Sequence, residues 1–335
     1  MVTVYDVARM AEVSSATVSR AVNNPDSVSP GALARINNAI AKLGYAPNKL
    51  ARSLKAQASD TVGVIIPDIT NPFLVKIVKG VERVLSAAGY TPILCDTEES
   101  PAKEERYLTD LLERRIDGLI LVPAMDSRTA VPMLKKRGLP AVFVDRSISP
   151  DFDCVKSNNV AGLSLLIGHL VQLGRTSIRM IGGPEGTIVG RERNEAFRTM
   201  LDRYGLPRAP DSLVHGDFTI EDGYRLTMAL LSTRPLPQAI ISANNLMGIG
   251  ALKAIRAAGL KLPADLDLVV FDELGELGEL LEPPLTFVRQ PALEMGTQAA
   301  TLLLERMRGG ASVAPRSVVF EPVLVSRGWM ANGNP

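Results

Sequence analysis

A chain of 335 residues with 46% hydrophobic and 22% charged residues has ordinary globular composition and is long enough for two or three domains with buried cores, which excludes a mini-protein. Aromatic residues are only 4% of the chain, which argues against a base-stacking nucleic-acid surface. The net charge of +1 is unevenly spread: residues 1–59 carry seven Lys/Arg against three acids, so the positive end is the one suited to a polyanion.

Three short helices are expected in the first 45 residues. Thr3 with Asp6 three residues later has the form of a capping box, opening a helix whose Val4, Val7, Ala8 and Ala11 share a face. Ser14 suits the cap of a second helix running through Val18 and Val22, which Asn23-Asn24-Pro25 ends. Ser29-Pro30 is a third helix start, with Leu33, Ile36, Ile40 and Leu43 on one stripe and Gly44 closing it. Asn48–Lys55 then gives about two helical turns, too few to be stable alone.

From Val62 onward, short β-branched runs alternate with longer helical ones. Strands are expected at 62–66, 91–94, 118–122, 141–144, 178–181, 239–241 and 268–271, with helices such as 73–88, 103–114, 161–173, 191–204 and 247–258 between them. Such alternation implies parallel sheets with right-handed crossovers, and about ten units imply two lobes rather than one small sheet. Cys95 and Cys154 sit in mainly apolar runs, as free thiols of a reducing compartment do. The N-terminus lacks a basic leader and apolar core, and no stretch has the 18 apolar residues of a membrane span, so a cytoplasmic protein without a membrane partner is expected.

The segments Val4-Tyr-Asp-Val-Ala8 and Val13-Ser-Ser-Ala-Thr-Val-Ser-Arg-Ala-Val-Asn23 resemble the helix-turn-helix of the lactose-repressor/galactose-repressor family of transcription regulators. The residue types suit that role: Val7, Val13, Val18 and Val22 pack the unit, short hydroxyls and amides reach phosphates, and Arg20 reaches a base edge. The resemblance implies that Ser15, Ala16 and Arg20 read bases while Ser14, Thr17 and Asn23 hold phosphate. Asn48–Lys55 resembles the family's hinge helix, in which Leu54 would wedge into the minor groove, with a central C-G step as the insertion point, and Lys55 would lie on the backbone.

The resemblance continues to about residue 328 through Asp68-Ile-Thr-Asn-Pro-Phe73, Gly190-Arg-Glu-Arg-Asn-Glu-Ala-Phe197, Gly216-Asp-Phe218, Ala243-Asn-Asn245, Val270-Phe-Asp272 and Leu285-Thr-Phe-Val-Arg-Gln290. These fall at strand ends or just beyond, where open parallel sheets bind ligands. By position, Asn71, Phe73, Asp145, Arg193, Phe218, Asn244 and Asp272 are the expected effector-pocket residues, with the two phenylalanines stacking on a ring and the polar groups meeting hydroxyls.

Catalytic signals fail. Gly248-Ile-Gly250 lacks the third glycine of a dinucleotide fingerprint, His169 and His215 are the only histidines, no Gly-x-Ser-x-Gly occurs, and Gly182-Gly-Pro-Glu-Gly186 lacks the Lys-Ser/Thr of a phosphate loop. No Cys/His cluster has metal spacing, so no cofactor, metal or enzymatic activity is expected.

The fold class expected is therefore an all-α helix-turn-helix head (residues 1–46), a hinge and linker (47–61), and an α/β effector domain (62–331) of two doubly wound lobes resembling periplasmic sugar-binding proteins. The resemblance implies three crossings between lobes, placing lobe one at 62–159 and 289–316 and lobe two at 160–288 and 317–331. The expected function is repression from a palindromic double-stranded DNA operator, bound as a homodimer and controlled by a sugar-like effector. After Trp329 only Met-Ala-Asn-Gly-Asn-Pro335 follows, without the heptads that make family tetramers. Ser157-Asn158-Asn159 and Ala243-Asn244-Asn245 stand where relatives usually show Val-Asp-Asn and Ala-Asn-Asp; replacing two carboxylates by amides leans the expected effector toward a sugar acid.

Overall fold

A computed structural model describes residues 2–45, 59–125, 127–275, 278, 280–282, 284–309 and 314–326, which form two compact units, one ending at Ser59 and the other beginning at Asp60.

In the first unit, α1 (Val4–Ala11), α2 (Ser15–Asn23) and α3 (Pro30–Leu43) enclose a small core of Val7, Ala8, Ala11, Val18, Ala21, Ile36 and Ala39. The Asp6 carboxylate reaches back to the Thr3 backbone N–H (2.9 Å) and hydroxyl (2.7 Å), which holds its pKa below the usual range and starts α1. Ser14 Oγ accepts from Thr17 N–H at 3.1 Å and caps α2. Gly44, at φ 62°, ends α3 in the left-handed conformation. Val7, Val18 and Ile36 have no exposed surface; Val13, Val22, Leu33 and Leu43 pack at the margin.

The second unit contains two six-stranded sheets. The first is formed by β1 (Thr61–Ile66), β2 (Thr91–Asp96), β3 (Gly118–Leu121), β4 (Ala141–Val144), β5 (Asp153–Ser157) and β11 (Ser317–Phe320), in the order β11-β5-β4-β3-β1-β2 and wholly parallel. The second is formed by β6 (Ile178–Gly182), β7 (Leu213–His215), β8 (Ala239–Ser242), β9 (Asp267–Phe271), β10 (Thr286–Arg289) and β12 (Val323–Val325), in the order β12-β10-β9-β8-β6-β7, parallel except for β12.

Side chains alternate across the first sheet as strand geometry requires. Val62, Val64 and Ile66 face one core with α4 (Pro72–Ala87) and α11 (Ala292–Met307), whereas Ile65 faces the other with α5 (Pro101–Glu113) and α6 (Ala130–Arg137). In the second lobe, α7 (Asn159–Gln172) packs with α8 (Ile188–Arg203), and α9 (Ile220–Leu231) with α10 (Asn245–Ala257). Gly80 and Gly296 let α4 and α11 touch backbone to backbone: a Cβ at either would overlap the Leu293 or Ile77 carbonyl oxygen.

The chain passes between lobes after β5, after β10 and between β11 and β12. The last passage corrects the expected boundary at 316/317. Ser317–Phe320 is the edge strand of the first sheet, paired in parallel with Cys154–Ser157, and Asp153 fixes the approach by binding Arg306 (2.7 and 2.9 Å) and the Arg316 backbone (2.7 Å).

Candidate functional site

In the first unit, α2 presents Ala16 and Arg20 to solvent one turn apart, with Ser15 half-buried beside them. Ser14 and Thr17 stand at the helix start with their hydroxyls 2.8 Å apart, where backbone N–H groups also point outward. These five expected DNA residues therefore lie on the cap and first two turns of one helix. Asn23 is the last residue of α2; Leu54 and Lys55 lie outside the described residues.

In the second unit, a cavity of about 400 Å³ lies between the lobes at the C-terminal ends of the strands. Asn71, Phe73, Asp145, Arg193, Phe218, Asn244 and Asp272 all line it. Three of them, Asp145 (φ 64°), Phe218 (φ 62°) and Asp272 (φ 75°), hold left-handed backbone that non-glycine residues seldom adopt, a strain that concentrates at binding sites.

Two polar capping residues frame the walls. Asn71 accepts from Phe73 N–H at 3.0 Å and starts α4; Asn244 accepts from Met247 N–H at 2.9 Å and starts α10, while its amide nitrogen donates to the Phe218 carbonyl at 3.1 Å. Each cap thus fixes a neighbouring aromatic residue of the cavity.

The floor is charged. Arg193 is buried, donates to Asn159 Oδ1 (2.8 Å) and the Ala243 carbonyl (2.6 Å), and stacks its guanidinium 3.7 Å above the Phe271 ring. Burial pulls its pKa below the ordinary value, against Asp272 and Asp145, which hold it up. Asp272 accepts from the Gln290 amide at 2.8 Å, yet burial pushes its carboxyl up to about 6, with Arg193 opposing. Burial raises Asp145 as well, against Arg146 and Arg193, and its Oδ1 has no hydrogen-bond partner among the described residues.

Arg146 is locked by Glu99 in a two-armed ion pair (2.6 and 2.8 Å) and by the Pro123 carbonyl (2.9 Å). Burial works against its charge, but Glu99, together with Asp145 and Glu104, holds the guanidinium above its ordinary value. Glu99, Glu98, Asp68, Asp217, Thr187 and Thr219 complete the polar lining, and Pro67, Leu74, Met125, Pro184 and Val189 the apolar part. Sequence reasoning missed these residues. Glu98 and Glu99 follow β2 at a strand end and could have been found by that rule; Thr187 carries the weaker signal of a helix cap.

Asn158, by contrast, is not on the cavity: it caps α7 and donates to Glu321 at 3.0 Å. Asn245 does not line it either and is fully buried behind it. Among the described residues no group of His, Cys, Asp and Glu is arranged to hold a metal, and no helix is long and apolar enough to cross a membrane.

Two family models match. Residues 3–48 match the bacterial regulatory proteins of the lacI family, and residues 59–318 match the periplasmic binding proteins and sugar binding domain of the LacI family. The chain belongs to the LacI family. This LacI-family chain is 36% identical to the ribose operon repressor of Halalkalibacterium halodurans (92% of this chain, 91% of that one) and 35% identical to that of Escherichia coli K12 (98% and 99%). Among solved structures it resembles the lac repressor dimer bound to operator and the anti-inducer ONPF (29% identity, 97% and 98% covered, TM-score 0.87). It also resembles a LacI family regulator from Enterococcus faecium with bound ribose (29%, 80% and 97%, TM-score 0.72). The chain is thus a DNA-binding transcriptional regulator and not an enzyme, built as the helix-turn-helix and two-lobed α/β fold that its sequence resembles.

Proposed function

We propose that the protein is a repressor that binds a palindromic operator as a homodimer through α2, and whose grip is set by a neutral sugar of pentose size held in the interlobe cavity. The observation that carries the reading is the cavity's polar lining: cap amides, a buried arginine and aspartates beside two aromatic rings, the set that fits a ring bearing hydroxyls. D-ribose is the first candidate, since two relatives at 35–36% identity are ribose operon repressors and one similar structure holds ribose.

The balance of charge disfavours the sugar acid expected from sequence. Six carboxyl groups line the cavity (Asp68, Glu98, Glu99, Asp145, Asp217, Asp272) against two arginines; Glu99 takes up Arg146, and Glu98 pairs with Lys103 at 2.5 Å. Asn158 and Asn245, on which that expectation rested, do not face the ligand space. Carboxylates accept from hydroxyls but repel a second anion in a partly dry site.

Calorimetric titration of the full chain with D-ribose and D-ribonate tests the assignment. Binding of ribose with no measurable heat from ribonate is expected; preferential binding of ribonate, or of neither, overturns it.

A further inference from the structure

Behind the cavity wall, one hydrogen bond joins side chains of different lobes. Asn245, the first residue of α10 in the second lobe, donates from Nδ2 to Asn71 Oδ1 at 3.0 Å, and Asn71 is the cap of α4 in the first lobe. The same Nδ2 approaches the Glu273 carbonyl at 3.4 Å, and Asn245 Oδ1 accepts from Leu246 N–H at 2.9 Å. A second bridge runs alongside, from Lys76 of α4 to Glu273.

These partners permit one orientation of each amide. Turned over, Asn245 would set its oxygen against both Asn71 Oδ1 and the Glu273 carbonyl; turned over, Asn71 would set its NH₂ against the Phe73 N–H that it caps. Asn71 Oδ1 is therefore occupied by two donors, Phe73 N–H and Asn245 Nδ2. Asn71 lines the cavity, so its amide nitrogen is the group left to meet a ligand.

We propose that Asn71 and Asn245 form an amide clasp between the lobes, and that Asn245, without touching effector, is a positioning residue that fixes Asn71 as a hydrogen-bond donor to it. The clasp works as a closure contact because Asn245 is fully buried where the lobes meet: its bond to Asn71 is made away from water and is broken if the lobes part. A carboxylate at 245 has the same shape but no hydrogen to give Asn71. Asn71 must then either face it oxygen to oxygen or turn over, which sacrifices the α4 cap and shows the cavity an acceptor instead of a donor.

The proposal rests on the reading of the cavity as the effector site, and two measurements on the full chain keep the two separable. In a thermal double-mutant cycle without ligand, Asn71→Ala, Asn245→Ala and the double variant should be non-additive, the double variant losing clearly less melting temperature than the sum of the singles. Additive losses overturn the clasp, whatever the ligand is. In calorimetric titration with D-ribose, Asn245→Asp, isosteric with the wild type, should bind roughly tenfold or more weakly, the loss of about one charge-free hydrogen bond. Ribose affinity unchanged in Asn245→Asp overturns the positioning role. If the wild type itself ignores ribose, the sugar assignment fails and the cycle alone decides the clasp.

Discussion

Arg193 and Asp272 show how a single buried position carries both stability and binding. The Asp272 carboxyl lies in the folded protein at about 6, above its usual value, because burial penalises the charge more than Arg193 and Gln290 support it. An acid raised in this way destabilises the fold above its unfolded pKa: as pH rises from about 4 through 6, the unfolded chain gives up the proton first and stability falls. The loss is complete above pH 6 and amounts to at most about 3 kcal/mol, which urea unfolding of the ligand-free protein at pH 4.5 and pH 7 checks. Binding should run the other way. Sugar hydroxyls donate best to the carboxylate, so effector affinity should drop roughly tenfold between pH 7 and pH 5, and a flat profile would remove Asp272 from the ligand's contacts.

At the scale of elements, the recognition helix and the packed helix pairs make separate predictions. Arg20→Ala should cost roughly 1–3 kcal/mol of operator affinity and relax preference at one base pair per half-site, measured by competition with operators altered one position at a time; a uniform loss over all sequences would assign Arg20 to phosphate instead. Gly296→Ala places a methyl group on the Ile77 carbonyl and should destabilise the second unit by about 1–3 kcal/mol in urea, with operator affinity changed only as far as folding is.

Legibility in the sequence follows burial. The central strands β1, β3, β4, β8 and β9 are near-continuous apolar runs and were readable as such, as was the head with its caps. The outlying strands were read unevenly: β2 and β6 were expected, at 91–94 and 178–181, while others were not. Asp153–Ser157 is broken by Asp153 and Lys156, Leu213–His215 has three residues, and Ser317–Phe320 alternates in exposure like any surface segment. The misplaced third crossing is a consequence of that last strand. In the cavity, the seven residues expected from the family resemblance and from positions at or near strand ends do meet, but the ion pair of Arg146 with Glu99 and the left-handed turns at Asp145, Phe218 and Asp272 have no local sequence signature.

For the whole molecule, the proposal is linkage between two sites on one chain: effector favours one arrangement of the lobes, DNA favours one state of the hinge, and the difference couples them. On the proposed role of Leu54 as a minor-groove wedge, implied by the family resemblance, Leu54→Ala should reduce bending of a palindromic site in a circular-permutation gel assay while leaving the melting temperature of the free protein unchanged, because a wedge of that kind acts only when a base step unstacks. Equal bending by wild type and variant would contradict the assignment. The most direct test of the coupling is the operator affinity of the full chain, followed by fluorescence anisotropy on the DNA upstream of its own gene, with and without saturating D-ribose. A shift of about 5- to 150-fold that Arg193→Gln abolishes is expected; an operator affinity that stays the same while calorimetry shows the cavity filled would contradict the coupling.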